Sequence, residues 1–342
     1  MNRTALQEWL KLTDQNRLNI FLETAEKKSL HESSVEKDWW VVHTLSVIFS
    51  MEYANFLIFK GGTSLSKGWN LIQRFSEDVD LALDREFLGF TGELSKGDIR
   101  KLRRKSYQFI TEIFTEELKQ KFAASGFENV LIKYREVENH DQDPLIIEIF
   151  YPTLTEKGSY LKPVILVEIG SRSLKEPFTQ RSFGTIVSEV FSDKPFCDKP
   201  ITIPVVNPER TFLEKIFLLH EEFQKALGKI RVERLSRHLY DIEKISQTKY
   251  AEIALQNADL YNTIVAHRSK FTPISGIDYA NHSPEKIRII PPRTIIKEWE
   301  QDYEIMTQAM IYDNPLSFDE LLKRIAELQK QINNSIIKIT DR

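Results

Sequence analysis

Residues 59–83 read FKGGTSLSKGWNLIQRFSEDVDLAL, and two features in them decide how the chain is read. A Gly61-Gly62-Thr63 turn follows the short apolar run 56–59. Asp78 and Asp80 then stand one residue apart in a second apolar run. Side chains of a β-strand alternate between faces, so the two aspartates share one face while Val79, Leu81 and Leu83 take the other. Adjacent carboxylates repel unless a positive charge lies between them. Mg²⁺, held by one or two carboxylates plus substrate phosphates, meets that need. Gly61 and Gly62 let backbone N–H groups approach phosphate oxygens, with the Thr63 hydroxyl beside them. A phosphate turn followed by metal-binding carboxylates is the equipment of nucleotidyl transfer.

Outward from this stretch, apolar spacing predicts helices through 4–50, the second of them over 34–51. The run 56–59 reads as a short strand. Thr63 or Ser64 is placed to cap a helix carrying Leu65, Trp69 and Ile72. A helix is expected over 96–122, then strands over 130–135, 145–151 and 163–169. Beyond Pro204 the pattern turns helical, over 208–227, 232–246, 250–268, 292–310 and 317–339. Asn207 followed by Pro208 is a helix start. These elements predict an α+β fold with a mixed β-sheet and flanking helices in 1–204, followed by a mainly helical domain in 205–342.

The 342 residues are 41% hydrophobic and 28% charged, the balance of an ordinary globular chain. A net charge of −3 gives no global basic field, so nucleic-acid contact has to come from a local patch. The single cysteine, Cys197, excludes an internal disulfide and a cysteine-based zinc site, and fits a reducing cytoplasm. The opening MNRTALQEWLKLTDQN has no uninterrupted apolar core, so no secretory signal is expected there. No run approaches the roughly 18 apolar residues of a membrane span. A cytoplasmic protein without a membrane partner is the expectation.

Lys60-Gly61-Gly62-Thr63, followed by Arg74-Phe75-Ser76-Glu77-Asp78-Val79-Asp80-Leu81, resembles the signature of the nucleotidyltransferase superfamily. More narrowly it is similar to the AbiEii-type branch, the toxin halves of bacterial abortive-infection (phage-defence) and toxin–antitoxin pairs. Glu36-Lys37-Asp38-Trp39 matches that branch's lead-in helix. The resemblance implies a sheet domain of the nucleotidyltransferase kind and a Mg²⁺- or Mn²⁺-dependent transfer from a nucleoside triphosphate, releasing pyrophosphate. It implies metal ligands Asp78 and Asp80, with a third carboxylate on a neighbouring strand. Glu168, in Val164-Ile165-Leu166-Val167-Glu168-Ile169, is favoured because Gly170-Ser171-Arg172 follows it; Glu148, in an equivalent apolar run, is the rival. The implied nucleotide-binding set is Lys60, Gly61, Gly62, Thr63, Ser64, Lys67 and Arg74, while Ser76 and Glu77 shape the turn.

From the helical part, the resemblance brings in Lys215 and Asp241 as catalytic residues. Lys215 would contact the triphosphate, and Asp241 would orient Lys215 or act as base for the acceptor hydroxyl. His238 stands where many relatives have aspartate, which leaves its role and that of Arg237 open. The implied acceptor is the 3′ end of tRNA and the implied partner an antitoxin encoded nearby. Two basic clusters, 100–105 and Lys229 with Arg231, Arg234 and Arg237, are candidates for RNA contact. Competing expectations are transfer to a small molecule or protein hydroxyl, and a nucleotide-binding regulator without turnover.

Overall fold

A computed structural model describes residues 3–76, 78–139, 142–155, 162–171 and 176–335; Glu77 and Arg172, named above, lie outside them, as does the end of the helix expected over 317–339. The chain divides into two compact units. One comprises the chain through Trp69 together with Phe75–Val206, and the other comprises Asn70–Arg74 with the chain from Asn207 onward.

The first unit opens with helices α1 (Arg3–Lys11), α2 (Asp14–Lys28) and α3 (Glu32–Ile48). Thr13 and His31 cap α2 and α3 with their side chains. Strand β1 (Leu57–Lys60) runs directly into a helical turn, α4 (Gly61–Thr63), continued by a wider π turn over Ser64–Gly68. No side chain caps this turn, and Ile72 lies beyond it, so the expected capped helix is absent. Strand β2 (Asp78–Leu83) follows. The expected 96–122 helix is α5 (Lys96–Gln108) and α6 (Thr115–Ala124) with a π segment between them. Strands β3 (Leu131–Tyr134), β4 (Leu145–Phe150) and β5 (Val164–Gly170) fall where the apolar runs placed them. After these come β6 (Phe178–Phe183), α7 (Ile186–Val190) and β7 (Ile201–Val206).

The seven strands form one mixed sheet in the order β3-β4-β5-β2-β1-β7-β6. β2 pairs antiparallel with β1 and parallel with β5. One face is sealed by Phe59, Val79, Leu81, Ile147, Ile149, Val167 and Ile169, all fully enclosed. Helix α3 packs against β2 and β5. The alternate positions, among them Asp78, Asp80 and Glu168, remain half-exposed. That asymmetry leaves one sheet face for chemistry.

The second unit holds α8 (Pro208–Gln224), α9 (Ser236–Ser246), α10 (Lys249–Gln256), α11 (Ala258–Phe271), α12 (Ile296–Met310) and α13 (Phe318–Asn333). Two helices, not one, occupy 250–268, because Asn257 ends α10 and caps α11 by accepting from the Leu260 N–H. Among the described residues no helix is long and apolar enough to cross a membrane.

Candidate active site

β1 delivers the chain to the sheet's half-exposed face, and Gly61 turns it there with φ of +77°. A Cβ on Gly61 would lie 1.8 Å from Asp80 Oδ2. The backbone of the turn therefore lies directly against the Asp80 carboxylate. Only glycine permits both the left-handed conformation and that approach.

Strand register sets the neighbours. Asp80 lies opposite Lys60 on β1 and opposite Glu168 on β5, while Asp78 lies opposite Leu166. Residues in register share a face, so Lys60, Asp80 and Glu168 form a row across three strands with Asp78 two residues up from Asp80. Glu148 is one strand further out, opposite Leu166. It is held there by Arg135 at 2.8 Å and Lys133 at 3.7 Å. Glu168, not Glu148, is the neighbour of the Asp-x-Asp pair.

Asp78, Asp80 and Glu168 offer hard carboxylate oxygens without sulfur or imidazole, a donor set that suits Mg²⁺ or Mn²⁺. Among the described residues no three His, Cys, Asp or Glu side chains converge tightly enough to cage a single ion. The arrangement is thus an open carboxylate face. It fits an ion that keeps waters and takes further oxygens from its substrate.

The turn's hydroxyls face inward. Thr63 Oγ1 donates to the Asp78 carbonyl and Ser64 Oγ to the Gly61 carbonyl. Both fasten the turn onto β2 and onto itself, so the expected Thr63 hydroxyl contact with phosphate gives way to a shaping role. Two cations expected at the nucleotide are likewise engaged elsewhere. Lys67 pairs with buried Asp38 on α3 at 2.7 Å. Arg74 is enclosed in the helical unit, where Nε and a terminal nitrogen each donate to Asp241 at 2.7 Å. Burial of those charges requires such partners, which removes Arg74 from solvent.

Within the helical unit, Lys215 of α8 approaches Asp241 of α9 at 2.9 Å and His238 Nδ1 at 3.5 Å. Asp241 is fully buried. Burial alone pushes its carboxyl up, but Arg74 and then Lys215 outweigh that and hold it below the usual carboxylate range. The contact with the Lys215 ammonium is the geometry of the orienting role expected for Asp241. Burial, followed by the Lys215 and Arg237 charges, keeps His238 well below its ordinary value and hence neutral. A neutral His238 can accept from the Lys215 ammonium, which a carboxylate at that position would instead bind as an ion. The 70–74 segment is held by two more contacts: the Gln73 N–H donates to Tyr240 Oη, and the Gln73 carbonyl accepts from Tyr312 N–H.

The basic clusters differ in character. On α5, Leu102 is buried while Arg100, Lys101, Arg104 and Lys105 stand out or half out. In the other cluster, Arg231 is tied to Glu222 at 2.9 Å. Nothing in sequence spacing announced the Arg74–Asp241 pair, whose members are 167 residues apart.

No curated protein matches the chain. A solved structure, the nucleotidyltransferase toxin MenT4 from Mycobacterium tuberculosis H37Rv, is similar at 16% identity and a TM-score of 0.43, with 94% of this chain and 97% of that one covered. A family model described as nucleotidyl transferase AbiEii toxin, type IV toxin–antitoxin system, matches residues 46–324. That span takes in the glycine turn, both aspartates, Glu168, Lys215 and Asp241. The chain belongs to the AbiEii family of nucleotidyltransferase toxins.

Proposed function

We propose that this toxin transfers a nucleotidyl group from a nucleoside triphosphate to the 3′ end of tRNA in the cytoplasm, with Mg²⁺ or Mn²⁺, and that a nearby-encoded antitoxin restrains it. The observation that carries this reading is the row Lys60–Asp80–Glu168 with Gly61 pressed against Asp80. Asp78, Asp80 and Glu168 would hold the metal, which when bound neutralises charge building on the phosphates. Gly61 brings backbone close to the Asp80 carboxylate, Gly62 follows it in the turn, and Lys60 adds a positive charge in the same row. The acceptor hydroxyl oxygen bonds the α-phosphorus as the bond to the β-phosphate breaks. Pyrophosphate leaves with the electron pair, and the hydroxyl proton passes to water. Lys215 is proposed to stabilise phosphate charge, with Asp241 and Arg74 as positioning residues that fix its ammonium.

The test is label transfer from each α-labelled nucleoside triphosphate into total bacterial RNA, comparing the wild type with Asp80→Ala. Label in tRNA-sized material with the wild type alone is the expected result. Undiminished transfer by Asp80→Ala would sink the mechanism, and label on protein would replace the acceptor.

A further inference from the structure

A cavity of about 280 Å³ opens in the sheet-containing unit, lined by residues of α1, α2 and α3 and of the 126–129 and 152–154 loops. None of the residues assigned above to transfer lines it. Its wall is aromatic. Trp9 and Trp39 stack with ring centres 5.0 Å apart, Trp40 meets Trp39 edge-on at 5.1 Å, and Phe127 tilts onto Trp40 at 5.3 Å. An engineered apolar cavity of roughly 150 Å³ already admits benzene, so this volume is ample for a small organic molecule.

The charges around that wall are unbalanced. Asp14 and Arg17 pair with each other at 2.6 Å. The two remaining charged groups in the lining, Glu36 and Glu128, are both negative. Glu128 is exposed, whereas Glu36 is only 1% exposed. The Glu36 carboxylate accepts from the Thr153 hydroxyl and the Leu154 N–H, both at 2.7 Å, and from the Thr155 N–H at 3.2 Å and its hydroxyl. All four donors are neutral, and among the described residues no lysine, arginine or histidine pairs with it. A buried carboxylate ordinarily acquires a cationic partner. Aromatic faces attract cations as well, most strongly indole.

We propose that this cavity is a binding site for a small organic cation, a guanidinium or primary ammonium on a slim alkyl chain. The cation sits among the Trp9, Trp39 and Trp40 rings, and its charge answers Glu36. The alkyl chain takes the apolar wall, and Glu128 draws the ligand in.

The probe is butylguanidinium, against neutral butylurea of nearly the same shape. Binding to the full chain is followed by tryptophan fluorescence and calorimetry. Saturable binding of butylguanidinium, at least tenfold tighter than butylurea, is expected. Glu36→Gln is expected to weaken it at least tenfold. Because Glu36 also anchors residues 153–155, Glu128→Lys, at an exposed position, serves as the second variant and is expected to weaken it similarly by placing a competing cation at the cavity. Equal binding of butylurea, no saturable binding, or unaltered affinity in a folded Glu128→Lys protein would each overturn the proposal. Acetyl-arginine methylamide distinguishes a free cation from one carried on a polypeptide: weaker binding than butylguanidinium supports a free ligand, and a preference for it overturns that assignment.

Discussion

At the scale of the residue, Gly61 carries the sharpest constraint. Its φ of +77° and the 1.8 Å between an added Cβ and Asp80 Oδ2 act together. Gly61→Ala would have to displace the Asp80 carboxylate or the turn. Turnover is expected to fall at least 10²-fold while the far-UV circular dichroism stays that of the wild type. Wild-type turnover in Gly61→Ala would show that the closeness of turn and carboxylate is dispensable. The glycine and both aspartates were legible from the sequence, because a left-handed turn and a one-residue spacing are local properties. The preference for Glu168 over Glu148 was readable only as far as a polar continuation allowed. Both sit in identical alternating runs, and strand order alone separates them: β5 borders β2 and β4 does not.

At the scale of the element, α8 and α9 are joined to Arg74 through one carboxylate, Asp241. Asp241→Ala removes the one carboxylate that the buried Arg74 guanidinium and Lys215 ammonium share. Breaking a buried ion pair in this way costs about 3–5 kcal/mol. The denaturant midpoint of Asp241→Ala is therefore expected well below that of the wild type; an unchanged midpoint would mean that Arg74 and Lys215 are solvated. Helix α3 shows a similar economy of polar contacts. Glu36 fixes residues 153–155, Lys37 donates to the Lys162 carbonyl, and Asp38 accepts from the Ile186 N–H and binds Lys67. In the sequence these three were legible only as a lead-in motif, since each partner is distant along the chain. Strands β6 and β7 escaped notice for physical reasons. FTQRSF of β6 is a largely exposed edge strand with little apolar alternation, and ITIPVV of β7 contains Pro204, ordinarily a strand breaker.

At the scale of the whole molecule, acid stability is set in part by histidines that fold neutral. Burial, with His282 beside it, lowers His220 to about 4, and His238 is also lowered. An unfolded chain takes up those protons near pH 6.5. Between about 6.5 and 4 it binds more protons than the folded protein, so stability falls as pH falls through that window. For His220 the loss is on the order of 3 kcal/mol across it. Thermal midpoints at pH 7 and pH 4.5 measure this, and an unchanged midpoint would contradict the buried neutral state. The turn from mixed sheet to a helical C-terminal part was legible in the change of pattern near Pro204. That five residues from the first half would fold with the second was not, because no local signal marks them.

Those five residues, Asn70–Arg74, interrupt the very stretch that holds the glycine turn and the paired aspartates. Gly68 and Asp78 are therefore ends of a span whose middle is anchored by Asp241, Tyr240 and Tyr312. While the anchor holds, the span has few conformations to lose when substrate orders the turn; if it lets go, that ordering has to be met from binding energy. Loosening Arg74 from Asp241 would return conformational freedom to a segment that the sequence places between the glycine turn and the paired aspartates.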